Sequence, residues 1–128
     1  MKSLIKQIAV VVALLAFVGI AAAQSTDPKP FLGAWKGTLK IAGQELQIGL
    51  NFSLDQAKKI QGTFDSISQG GFGLKLASFE IKDKTITFLL ENVPGAPSFK
   101  GTVDGTGKKM TGDFTQGGYA GTFAVDKQ

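Results

Sequence analysis

From residue 31 onward, apolar and polar residues alternate with a period of two. The run at 45–54 is the cleanest: Leu46, Ile48, Leu50, Phe52 and Leu54 fall on one face, and Gln47, Gly49, Asn51 and Ser53 on the other. Successive side chains of a strand point to opposite sides, so this pattern reads as a β-strand with one buried face. Turn-forming residues interrupt the alternation roughly every 8–12 residues, as in all-β chains. Eight strands are predicted, at about 33–41, 45–54, 59–66, 74–82, 85–92, 98–104, 109–115 and 119–126. Their connections are Ala42-Gly43-Gln44, the polar 55–58, Asp83-Lys84, Pro94-Gly95-Ala96-Pro97, Gly105-Thr106-Gly107-Lys108 and Gln116-Gly117-Gly118. The longest irregular stretch is 66–73, where Gly70, Gly71 and Gly73 surround Phe72. In the fourth strand Leu74 and Leu76 share one face but Phe79 and Ile81 the other, so a bulge near Ala77-Ser78 is expected to restore a single buried face.

A five-residue unit, apolar–x–Gly–Thr/Asp–apolar, recurs within these strands. Its copies are Trp35-Lys36-Gly37-Thr38-Leu39, Ile60-Gln61-Gly62-Thr63-Phe64, Phe99-Lys100-Gly101-Thr102-Val103, Met110-Thr111-Gly112-Asp113-Phe114 and Tyr119-Ala120-Gly121-Thr122-Phe123. Each glycine lies on the inward face between two large apolar residues, where a missing side chain lets a strand bend or a neighbour approach. Short connections throughout imply sequential antiparallel pairing. The expected fold is all-β, an eight-stranded antiparallel up-and-down barrel over residues 33–127, with a two-sheet sandwich as the alternative. Residues 24–32 are expected to be a flexible lead-in.

The N-terminal residues break this pattern. Lys2 and Lys6 precede an apolar run from Ile8 to Ile20, and Ala21-Ala22-Ala23 follows. That is the form of a signal peptide cleaved after residue 23; the run is shorter than the ~20 residues of a spanning helix. Contact with a membrane is then expected only before cleavage, and the location is expected to be periplasmic or secreted. The chain has no cysteine, so neither a lipidated cysteine nor a disulfide framework is available, which suits a bacterial exported protein. Loss of Lys2 and Lys6 lowers the formal net charge from +4 to +2. The basic residues are all lysine and are dispersed. Arginine forks, the usual readers of phosphates and base edges, are absent, and no nucleic-acid partner is expected.

The chemistry is also bounded by absence. With no histidine and no cysteine, Ser–His and Cys–His catalysis and the common zinc sites are unavailable. No motif surrounds Ser53, Ser66, Ser68, Ser78 or Ser98, and the strand phase turns Asp65, Glu91, Asp104 and Asp113 outward. No enzyme activity, cofactor or metal is expected. The inward set is aromatic: Trp35, Phe52, Phe64, Phe88, Phe99, Phe114 and Phe123, with Tyr119 as the one inward aromatic bearing a polar group. An eight-stranded barrel is just wide enough for its own side chains, so this set reads first as a filled core. A cavity left by the inward glycines would instead take a neutral apolar small molecule. Its expected contacts are Phe88, Phe99 and Tyr119, with Phe72 as a lid or a partner contact.

Gly33-Ala34-Trp35 at the start of the first strand resembles the Gly-x-Trp signature of lipocalin-like (calycin) barrels. In those the tryptophan closes one end and a basic residue near the last strand packs over it. The resemblance implies that Gly33, Trp35 and Lys127 form the barrel closure. Gly62-Thr63-Phe64-Asp65-Ser66 with Gln69-Gly70, and Gly112-Asp113-Phe114-Thr115-Gln116-Gly117-Gly118, are similar to the small β-domain that precedes secreted bacterial α/β-hydrolases. That resemblance implies a lipocalin-like fold and a hydrolase or envelope protein as partner. It carries over no catalytic residue, since the sequence holds no Gly-x-Ser-x-Gly elbow. The expected function is an exported, non-catalytic module that binds a small apolar ligand or a partner protein; the alternative is a structural, envelope-associated accessory protein with a filled barrel and no ligand.

Overall fold

A computed structural model describes residues 24–128; the expected signal peptide lies outside the described residues. The eight strands form one closed antiparallel barrel in sequence order. They are β1 (Gly33–Ile41), β2 (Gln44–Leu54), β3 (Ile60–Ser66), β4 (Gly71–Lys82), β5 (Thr85–Leu90), β6 (Ser98–Val103), β7 (Lys109–Gln116) and β8 (Tyr119–Lys127). Closure comes from β1 pairing with β8, from Trp35 opposite Lys127 to Ile41 opposite Gly121. The barrel therefore has no free lateral edge along this seam, and the sandwich alternative is excluded. The meander defines two rims. The lower rim carries both ends of the described chain and the loops 55–59, 83–84 and 104–108. The upper rim carries the turns 42–43, 67–70, 91–97 and 117–118.

The inward face follows the alternation. Trp35, Leu39, Ile48, Leu50, Phe52, Phe64, Ile86, Phe88, Phe99, Val103, Met110, Phe114, Phe123 and Val125 are all buried. The centre is a chain of rings. Phe88 stacks on Phe99 at 4.9 Å, and Phe99 also meets Phe114 at 4.7 Å and Phe64 and Phe123 at 5.5 Å each. Phe52 meets Phe88 edge-on at 5.4 Å. Each such pair contributes about 0.5–1.5 kcal/mol beyond the area it buries.

The expected bulge is present. The β4–β5 register shifts between Ala77 and Glu80, and Ser78 takes a positive φ of 56°. This returns Phe79 to the core side, where it packs against Phe52 at 6.3 Å and Phe88 at 5.9 Å.

Three expectations change. The irregular stretch 66–73 is largely ordered: a 3-10 turn covers Ile67–Gln69 and β4 already begins at Gly71. Polar side chains replace the missing ladder there. Ser66 Oγ donates to Gln69 Oε1 at 2.8 Å, Gln47 N–H donates to Ser68 Oγ at 2.8 Å, and Gly73 N–H donates to Asp65 Oδ1 at 2.8 Å. Conversely, Glu91 and Asn92 leave β5 for a turn, with Asn92 at φ 58°. The lead-in is also structured. Its 3-10 turn Lys29–Phe31 buries Phe31 completely, and Ser25 exchanges two hydrogen bonds with Asp83 (2.9 Å to the carboxylate and 2.7 Å from the Asp83 N–H). Asp83 lies between β4 and β5, across the barrel from β1, so the lead-in straps over the lower rim.

Candidate functional site

The lower rim is sealed around Trp35. This residue is fully buried, and its indole N–H donates to the Phe31 carbonyl at 2.9 Å, so the strap and β1 are joined inside the barrel mouth. The register sets Lys127 of β8 opposite Trp35, and its ammonium lies 5.4 Å from the ring centroid. A cation over an indole face is worth about 0.5–1 kcal/mol where it remains accessible to water. Gly33 completes the group. Its φ of 114° suits only glycine, and a Cβ there would stand 3.4 Å from the Lys127 side chain. Gly33, Trp35 and Lys127 are thus brought together at one end. Phe31, also fully buried at that end, falls within the 24–32 lead-in in sequence; its signal there is an apolar pair, Phe31-Leu32, directly ahead of Gly33 and behind Pro30.

The four residues considered for ligand contact separate into two pairs. Phe88 and Phe99 lie at the centre, and their faces are covered by each other and by neighbouring rings. Phe72 and Tyr119 are at the upper rim, 64% and 65% exposed. Phe72 belongs to β4 rather than to a loop and does not tuck over the opening. The inward placement of Tyr119 needs correction. Its phase does match Gly121 and Phe123, but it is the first residue of β8, opposite Gln116. Beyond that point no facing wall remains to cover it. Phe72 and Tyr119 sit on β4 and β8, four strands apart around the barrel, so they flank the upper rim from opposite sides.

Between them the rim is apolar but not sealed. Ile41, Leu46, Leu74 and Val93 pack on the core and stay partly accessible. Two neutral polar pairs lie nearby, buried Ser66 with Gln69 and Gln116 Nε2 with the Pro94 carbonyl at 3.2 Å, and Lys40 and Glu45 stand beside Ile41. Ser53, Ser66, Ser68 and Ser98 have neutral hydrogen-bond partners as well. Ser53 Oγ accepts from Gln61, and Ser98 Oγ lies 2.6 Å from Thr115 Oγ1. Asp104, in the loop between β6 and β7, is a carboxylate with a displaced acidity. The Thr106 hydroxyl, donating at 2.6 Å, holds it below the ordinary aspartate value, aided by backbone N–H groups of the same loop. That is the chemistry of a turn, and it lies at the opposite end from Phe72 and Tyr119. Among the described residues, no three potential metal-ligating side chains come together. Comparison with protein-family models, curated proteins and solved structures yields no match.

Proposed function

We propose that this protein is an exported, non-catalytic binding module that contacts a partner protein through its upper rim, while its own rings occupy the barrel interior. The observation that carries this reading is the placement of its aromatic residues. Phe52, Phe64, Phe88, Phe99, Phe114 and Phe123 are used up in the core, whereas Phe72 and Tyr119 are spent on water at a single rim. Exposed aromatics are favoured contact residues because they bury a large area with little loss of side-chain freedom. The resemblance to the β-domain of secreted hydrolases supports a hydrolase or another envelope protein as the partner class.

The test is site-specific photo-crosslinking in the protein's own compartment. A photoreactive residue at 72 and another at 119 should capture the same partner, and the adduct from 119 should be lost when Phe72→Asp is added. A reactive residue at Thr102, on the outer wall, should not capture it. Equal capture from all three positions, or none from 72 and 119, would overturn the proposal.

One observation favours a second reading. The partly accessible Ile41, Leu46, Leu74 and Val93 form an apolar floor at the same rim, suited to a small neutral ligand resting above the core. Saturable uptake of a neutral apolar fluorophore that Phe72→Asp weakens would favour this reading over the first.

A further inference from the structure

Around most of the barrel, neighbouring strands pair along nearly their full length. The β3–β4 seam is different. Its register runs only from Ser66 opposite Gly71 to Thr63 opposite Lys75. Below that point β3 continues through Gly62 to Ile60, paired with β2 alone, and β4 continues to Lys82, paired with β5 alone. The bulge at Ala77 and Ser78 explains the parting, since it turns the lower half of β4 toward β5. The result is a lateral cleft of about 550 Å³ at the lower rim, bounded by Ile60 on one side, Phe79 and Ile81 on the other, and Thr26 and Pro28 of the strap below.

The cleft has two chemically distinct parts. Ile60, Phe79 and Ile81 are half-buried, pack on the core and form an apolar floor. The mouth is charged. Lys58 and Lys59 stand on the β3 side, and Glu80 faces them, 3.6 Å from Lys82 on its own strand. Lys58 is held in place by its turn: it takes a φ of 61°, and Asp55 receives the N–H groups of Ala57 and Lys59 through its carboxylate and that of Lys58 through its carbonyl.

We infer that this cleft is a binding site for a single-tailed anionic amphiphile, with the alkyl chain on Ile60, Phe79 and Ile81 and the anionic head between Lys58 and Lys59. The volume falls within the roughly 300–1,000 Å³ of small-molecule sites, and an apolar floor with a few convergent charges is their common composition. The site lies at the end of the barrel opposite Phe72 and Tyr119, so it stands or falls independently of the proposed partner surface.

The experiment is amide-resolved NMR titration of the purified protein with dodecanoate below its micelle concentration. Dodecanol, dodecyltrimethylammonium and anionic lipid vesicles serve as separate arms. Amide shifts should concentrate at residues 26–27, 58–62 and 77–81. The double variant Lys58→Asn, Lys59→Gln alters only exposed side chains and should bind dodecanoate on the order of tenfold more weakly, the size expected for losing two exposed charge contacts. Its spectrum without ligand should remain that of the folded protein. Dodecanoate shifts centred on Leu74 and Val93, equal affinity for the cationic amphiphile, or binding to vesicles but not to free dodecanoate would each overturn the assignment.

Discussion

Glycines at equivalent positions of the repeated unit meet different surroundings. A Cβ on Gly112 would run into the Lys100 carbonyl oxygen and the Gly101 Cα, and one on Gly121 into the Lys40 carbonyl. A Cβ on Gly101 would meet the Met110 sulfur at 2.7 Å and the tip of the Phe123 ring at 2.9 Å. From the sequence, the obstacle at all of these positions is expected to be the packed core. The structure makes it the neighbouring strand's backbone at Gly112 and Gly121, because adjacent strands cross closely where no side chain separates them. A backbone cannot step aside, but a thioether can. Gly112→Ala should therefore cost at least the ~1–3 kcal/mol usual for overpacking, and Gly101→Ala distinctly less. Denaturant midpoints of the two variants check the order; equal values would place the strain in the core instead.

Asp104 gives a second residue-scale expectation. Its folded-state acidity is lowered by Thr106, so the stabilisation it adds is fully present above the ordinary aspartate value of about 3.9 and is lost as pH falls through the folded value. The melting-temperature gap between wild type and Asp104→Asn should be constant near neutrality and close at acid pH. A gap that widens on acidification would reverse the assignment.

At the scale of elements, the strap matters most. It has only a three-residue 3-10 turn of regular structure, yet it places Phe31 beneath Trp35 and reaches Asp83 across the rim. Phe31→Ala should cost about 3–5 kcal/mol, the range for emptying a buried phenylalanine site. It should also expose the Trp35 indole N–H, read as faster solvent exchange at that proton. By contrast, the ion pairs Lys82–Glu80 at 3.6 Å and Lys109–Asp126 at 4.0 Å are exposed, and removing either should shift stability by less than about 1 kcal/mol.

For the whole molecule, the question is whether the barrel holds anything besides itself. Phe99 meets four other rings and marks the centre. Phe99→Ala should cost roughly 3–5 kcal/mol and leave an apolar, water-free void that takes up benzene or xenon, whereas wild type should take up neither inside the barrel. Should the alanine variant fail to fold, Phe99→Leu tests the same point with a smaller void. Benzene bound within the wild-type core would show that the interior is not filled by its own side chains.

Strand number, order and phase were legible in the chain because a period of two is a local property: a residue's side depends on its neighbours in sequence. The bulge was legible for the same reason, as a change of phase between Leu76 and Phe79. What the chain could not reveal is how far each strand runs past its neighbours. Tyr119 has an inward phase but lies beyond the facing wall, and Phe72 joins a strand whose first residues are held by Asp65, which accepts the Gly73 N–H across the seam. Phe31 reads as part of a polar lead-in until the barrel presents an open end for it to fill. The β3–β4 cleft exists only because a bulge in one strand and a departing loop in another fall at the same height. Local periodicity determined which side each residue faces. Tertiary closure decided which of those sides are covered, because burial depends on residues distant in sequence that only the closed barrel brings together.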